Sequence, residues 1–79
     1  MKKPSIAAVY LFVGGMVMVF DSNGEQIPDY QGHAKDVAST ILRDAPDAAR
    51  FCFGKWRGEG FSVTRDEWAL LAQPWRSHE

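Results

Sequence analysis

Cysteine occurs once and histidine twice in these 79 residues, and that scarcity removes several kinds of protein at the outset. A single thiol, Cys52, cannot build an internal disulfide framework, and no cysteine cluster exists to hold zinc. Without such staples the chain must cohere through its core or by association, and a reducing cytosol is its expected compartment. Neither sign of charge dominates: nine Lys and Arg stand against ten Asp and Glu, a net charge of −1. The chain as a whole therefore lacks the positive charge that drives phosphate affinity. A long apolar run is missing too. Residues 6–20, behind Met1-Lys2-Lys3, have the outline of a secretory leader. They are short for a membrane span and are broken by Gly14-Gly15, and Ser22-Asn23-Gly24 is a poor cleavage site. Neither export nor a membrane segment is expected.

What remains is a globular composition, 46% hydrophobic and 13% aromatic. The length fits a single domain, 1–79, near the lower limit for folding without staples. So small a core leaves little room for an enclosed pocket, which favours function at the surface.

Hydropathy patterning orders the elements β-β-β-α-β-β-α. Paired glycines at 14 and 15 supply the positive φ angles of a two-residue hairpin turn. In that register Val9, Leu11, Met18 and Phe20 share one face and should bury the helix. Tyr10, Phe12, Val17 and Val19 share the other, which either finds cover or stays open as a contact surface for a partner or a second copy of the chain. Asn23-Gly24 makes a second reversal, after which residues 25–27 return as a short third strand ended by Pro28.

A helix is expected over residues 33–44, with Ala34, Val37, Ala38, Ile41, Leu42 and Ala45 as its apolar stripe and Pro46 as its stop. Residues 50–56 form an aromatic strand, and residues 61–63 pair back on it after the turn Arg57-Gly58-Glu59-Gly60. Thr64-Arg65-Asp66-Glu67 is a capping box, with Val63 and Trp68 placed as a hydrophobic staple, and Pro74 ends the last helix near Gln73. The expected fold class is α+β, an antiparallel sheet of about five strands with helices packed on one face.

Catalytic chemistry finds few supports. Cys52 lies in an apolar strand, where a free cysteine behaves as a small hydrophobe, and the histidines are at a helix start and in the C-terminal tail. Asp66 and Glu67 are already committed to capping. Asp21-x-Asn23-Gly24-Glu25 echoes a calcium loop, but the position of its closing acidic ligand is Gly32. No catalytic residue, metal or cofactor is expected.

Binding has better candidates. From residue 21 to 47 the acids Asp21, Glu25, Asp29, Asp36, Asp44 and Asp47 face only Lys35 and Arg43, an acidic surface suited to a basic partner. Trp56-Arg57 and Trp75-Arg76 are of the kind that anchors protein interfaces. Leu11-Phe12-Val13-Gly14-Gly15-Met16 resembles the first signature strand of RNA-recognition domains, and Arg50-Phe51-Cys52-Phe53-Gly54-Lys55 loosely resembles the second. That points to an RNA- or single-stranded-DNA-binding module using Tyr10, Phe12, Phe51 and Phe53. Against it, a second strand follows the first where that fold needs a helix, and the second signature lacks its glycine.

The stretch Phe20-Asp-Ser-Asn-Gly-Glu-Gln-Ile-Pro-Asp-Tyr-Gln-Gly32, with Asp44-Ala-Pro-Asp-Ala-Ala-Arg-Phe51, resembles small open reading frames of phages and mobile elements. In size and character the chain is similar to anti-CRISPR proteins directed at type I systems. The resemblance implies a non-enzymatic inhibitor in the host cytosol that binds a CRISPR surveillance complex and blocks DNA capture or nuclease recruitment. It further implies that Asp29, Asp36, Asp44 and Asp47 could substitute for phosphates. The expected partner-binding set is therefore Asp29, Asp36, Asp44, Asp47, Tyr10, Phe12, Trp75 and Arg76.

Overall fold

The computed structural model describes residues 5–55 and 60–76, the side chains of residues 74–76 excepted. Five strands form one mixed sheet: β1 (Ala8–Phe12), β2 (Met16–Phe20), β3 (Gly32–His33), β4 (Arg50–Gly54) and β5 (Gly60–Val63). Two helices, α1 (Ala34–Asp44) and α2 (Arg65–Arg76), pack against each other and against one face of the sheet. The strand order is β3-β2-β1-β4-β5. The class is α+β as expected, but the sheet is not purely antiparallel, because β4 runs parallel to the central strand β1. The order of elements does not reveal this. It follows from α1, which carries the chain over the sheet from β3 to β4 and so delivers β4 in the same direction as β1.

The first hairpin also departs from its expected register. Ala8 pairs with Phe20, Val9 with Val19, Tyr10 with Met18 and Leu11 with Val17. The turn is therefore three residues, Val13-Gly14-Gly15, rather than two. Gly14 and Gly15 both have positive φ, 103° and 100°, and the Gly15 N–H donates to Phe12 O at 2.9 Å. Because side chains alternate with a period of two, this single-residue difference exchanges the faces of β2. Val17 and Val19 enter the core with no exposed area, whereas Met18 and Phe20 join Tyr10 and Phe12 on the opposite face.

Only an isolated bridge, Phe20 to Gln26, forms where a third strand over residues 25–27 is expected. Pro28–Tyr30 then makes a 3₁₀ turn that drives Tyr30 into the core before β3 resumes pairing with β2. The Gln31 side-chain amide bridges the interruption, donating to Val19 O at 2.8 Å and Ile27 O at 3.2 Å. That contact satisfies backbone carbonyls beside the 3₁₀ turn.

Helix α1 starts one residue later than expected, with His33 as its N-cap: His33 Nδ1 accepts from the Lys35 N–H at 3.2 Å. Its stripe behaves as the spacing requires, with Ala34, Ala38, Ile41 and Ala45 buried and Val37 and Leu42 packed against them. Strand β4 ends at Gly54, and the expected residues up to Trp56, with the turn at Arg57, lie outside the described residues.

The capping box of α2 is present in both directions. Thr64 N–H donates to the Glu67 carboxylate at 2.8 Å, and Glu67 N–H donates to Thr64 Oγ1 at 3.0 Å. Val63 packs against the buried cluster that contains Trp68. Contrary to expectation α2 runs through Pro74 to Arg76.

Beneath the helices lie Val9, Leu11, Val17, Val19 and Phe51, closed by Trp68 and Ala72 from α2. Trp68 has no exposed area and meets the Phe51 ring at 5.3 Å and 59°. Arg65, at the start of α2, locks the helical layer. Its guanidinium donates to Leu42 O at 2.9 Å, Ala45 O at 2.7 Å and Pro46 O at 3.0 Å, and it lies 5.3 Å from the Phe51 ring centroid. One cation thus caps the orphan carbonyls at the end of α1 while stacking on the core.

Replacing Arg65 with Met should lower stability by about 2–3 kcal/mol, because buried carbonyls lose a charged partner. Arg65→Lys should recover only part, as an ammonium cannot fork across three carbonyls. Urea unfolding of the three proteins checks this, and equal midpoints would show the contact to be passive.

Candidate functional site

The face of the sheet turned away from the helices carries the candidate site. Alternation along β1, β2 and β4 places Tyr10, Phe12, Met18 and Phe20 there, beside the small residues Ala8, Cys52 and Gly54. Tyr10 stacks with Phe12 at 6.4 Å and 11°, and meets Phe20 edge-on at 5.6 Å. The aromatic rings stand over β1 and β2, while the neighbouring strands β4 and β5 have little bulk opposite them: Tyr10 pairs with Cys52, and Phe12 with Gly54. The height difference forms a depression of about 580 Å³, whose lining also includes Arg50, Lys55 and Gly60. Its volume lies in the ~300–1,000 Å³ range of ligand sites. Val13 and Met16, both exposed, extend the apolar surface at the hairpin tip.

Charge is distributed unevenly around this depression. Arg50 and Lys55 are exposed at opposite ends of β4. The single ion pair among the described residues is Arg43 with Asp44, so neither cation is neutralised within them. Asp21 also lines the depression, but its Oδ1 accepts the N–H groups of Asn23 at 2.8 Å and Glu25 at 3.0 Å. That carboxylate is committed to its turn.

The acidic residues expected to form one binding surface do not act alike. Asp36 is exposed in the first turn of α1, Asp47 is exposed in the loop after it, and Asp29 is exposed on the 3₁₀ turn. Asp44 instead has an internal role: it accepts the Tyr30 hydroxyl at 2.8 Å and pairs with Arg43 at 3.0 Å. Eight residues of helix separate Asp36 from Asp44, about 12 Å along the axis. These acids belong to the helical side of the sheet, opposite Tyr10 and Phe12. The side chains of Trp75 and Arg76 lie outside the described residues.

The residue set proposed for stacking on nucleic acid also changes. Phe51 is buried against Trp68, and Phe53 packs towards the helical side, where it meets Phe61 at 6.2 Å. Phe51 cannot serve with Tyr10 and Phe12, because it is buried on the core side; Phe53 packs against the core and also borders the depression. Sequence reasoning missed Met18, Phe20, Arg50 and Lys55 as members of the open face. For β2 the obstacle was the turn length. For Arg50 the signal was present, as it stands two positions before Cys52 on the face opposite Phe51.

Among the described residues no three His, Cys, Asp or Glu side chains cluster as metal ligands would, and no helix is long and apolar enough to cross a membrane. Cys52 is buried beneath the open face. Comparison with known protein families, curated proteins and solved structures finds no match to this chain.

The bond from Tyr30 to Asp44 raises the phenol pKa above its ordinary 10.0, and burial and the nearby carboxylate charges add to the shift. The folded state favours the protonated phenol, so this contribution is present below pH 10 and is lost as pH rises through the raised folded value. Asp44→Ala should therefore cost about 1 kcal/mol at pH 8, with the difference from the parent narrowing above pH 10. Denaturant unfolding at pH 8 and pH 11 checks the stability, and NMR titration of the Tyr30 ring checks the midpoint, which should fall. A constant difference across that range would contradict the assignment.

Proposed function

We propose that this chain is a non-enzymatic binding protein that acts stoichiometrically through the open face of its sheet. The observation carrying this reading is a single one: an apolar surface of Tyr10, Phe12, Met18 and Phe20, its aromatic rings packed on one another, lines a depression on the face away from the helices. Apolar surface of this kind is retained where a partner covers it. The similarity to phage anti-CRISPR proteins supports the inhibitor form of the reading, with a CRISPR surveillance complex as the target in the host cytosol. The acidic side is the weaker candidate for contact, since Asp44 is used within the fold and Asp36 stands apart from it.

Capture from a host lysate tests the assignment. A tagged chain should retain a nucleic-acid-handling complex, and Tyr10→Ser with Met18→Glu should reduce capture at least tenfold while leaving far-ultraviolet circular dichroism unchanged. Asp36→Lys with Asp47→Lys should leave capture intact. The opposite pattern would transfer the binding role to the acidic side.

A further inference from the structure

We infer that the occupant of the open face is single-stranded nucleic acid, its bases stacking on Tyr10 and Phe20 and its phosphates meeting Arg50 and Lys55. This rests on the reading of that face as the contact surface, and takes the nucleic-acid component of the captured complex as what the face holds. Three features of the face favour this occupant.

The first is shape. The rings of Tyr10, Phe12 and Phe20 line the depression beside the small residues Ala8, Gly54 and Gly60, and aromatic rings are what unpaired bases stack on. A duplex keeps its bases stacked inside and cannot present them this way. The second is charge. Arg50 opens β4 and Lys55 follows its last residue, Gly54, and both cations line the depression. The third is where the negative charge lies. Asp36 and Asp44 are on helix α1, and the depression is lined by two cations, Arg50 and Lys55, against the single acid Asp21, so the net charge of −1 does not describe this face. An acidic peptide could satisfy the two cations, but it would leave the rings without a matching series of planar groups.

Stacking and phosphate contact are common to RNA and DNA. The face therefore should not discriminate by sugar.

Fluorescence anisotropy with the full chain and labelled 12-mers of uridine and of thymidine provides the test, at salt from 50 to 200 mM. Both strands should bind within a few-fold of each other, and a duplex of equal length should bind at least tenfold more weakly. Two phosphate contacts predict a slope of log affinity against log salt near −1.4. Tyr10→Ala with Phe20→Ala should weaken binding at least tenfold and leave that slope unchanged. These side chains are partly buried, so the exposed pair Arg50→Gln and Lys55→Gln supplies a variant without a packing defect; it should flatten the slope by about 1.4.

No binding at 50 mM salt by the folded chain overturns the inference, as does binding that neither pair of substitutions alters. Nuclease-resistant capture of a protein through the same face, without oligonucleotide binding, would make that protein the occupant. It would overturn this inference and leave the binding-face reading standing. Loss of both would remove the face itself.

Discussion

The turn Val13-Gly14-Gly15 decides which side chains the rest of the sheet has to work with. Two successive residues at positive φ are tolerable only because both are glycine. The three-residue loop they permit sets Leu11 opposite Val17 instead of Met18. A register one residue away would send Met18 and Phe20 beneath the helices and turn Val17 and Val19 outward. The larger side chains would then compete with Trp68 and Phe51 for a space that valines fill. The same turn also fixes the helical layer, since the Gly15 carbonyl accepts the N–H of Ala34, the first residue of α1, at 2.7 Å. Sheet register and helix placement are thus set at one point in the chain.

From that point the two halves of the domain are joined by few but directional contacts. Strand β4 enters beside β1, and the ladder continues past it through the Val13 N–H to Gly54 O at 2.9 Å. On the helical side Arg65 ties the start of α2 to the end of α1. Tyr30 and Asp44 tie the 3₁₀ turn to the same helix end. In a domain of this size, where total stability is only several kcal/mol, such contacts carry a large share of the margin. Their placement explains why Asp44 reads as a surface acid from composition and acts as an internal acceptor.

Local signals were legible in the sequence wherever the physics is local. The stripe from Ala34 to Ala45, the stop at Pro46 and the Thr64–Glu67 capping box depend on residues within one or two turns of each other, and all are present. What depends on distant partners was not legible. The parallel pairing of β1 with β4 joins segments some forty residues apart, and no pattern within either strand encodes direction. Hairpin register failed for a different reason. Every residue of β2 is apolar, so alternation offers no clue to which face is buried, and only turn length decides. The candidate site inherited that ambiguity: Tyr10 and Phe12 were placed on the open face, whereas Phe20 and Met18 were not.

Geometry also explains why one face stays open. Five strands at about 4.8 Å span roughly 19 Å, and two helices packed side by side at 8–10 Å cover that width once. Covering the other face would need a further layer, and among the described residues no other helix or strand supplies one. A two-layer fold of this kind ordinarily places polar side chains on the solvent face of its sheet. Here β1 and β2 present Tyr10, Phe12, Met18 and Phe20 instead, while the cations fall on the adjoining strand. Local packing does not demand those residues, because serine, threonine or lysine would serve the strands equally well. Their rings do gain from mutual contact, but stacking among themselves offsets only part of the apolar surface left in water. On the proposed binding reading a partner covers the remainder, so the face that the described helices leave uncovered is the one whose side chains a partner would use.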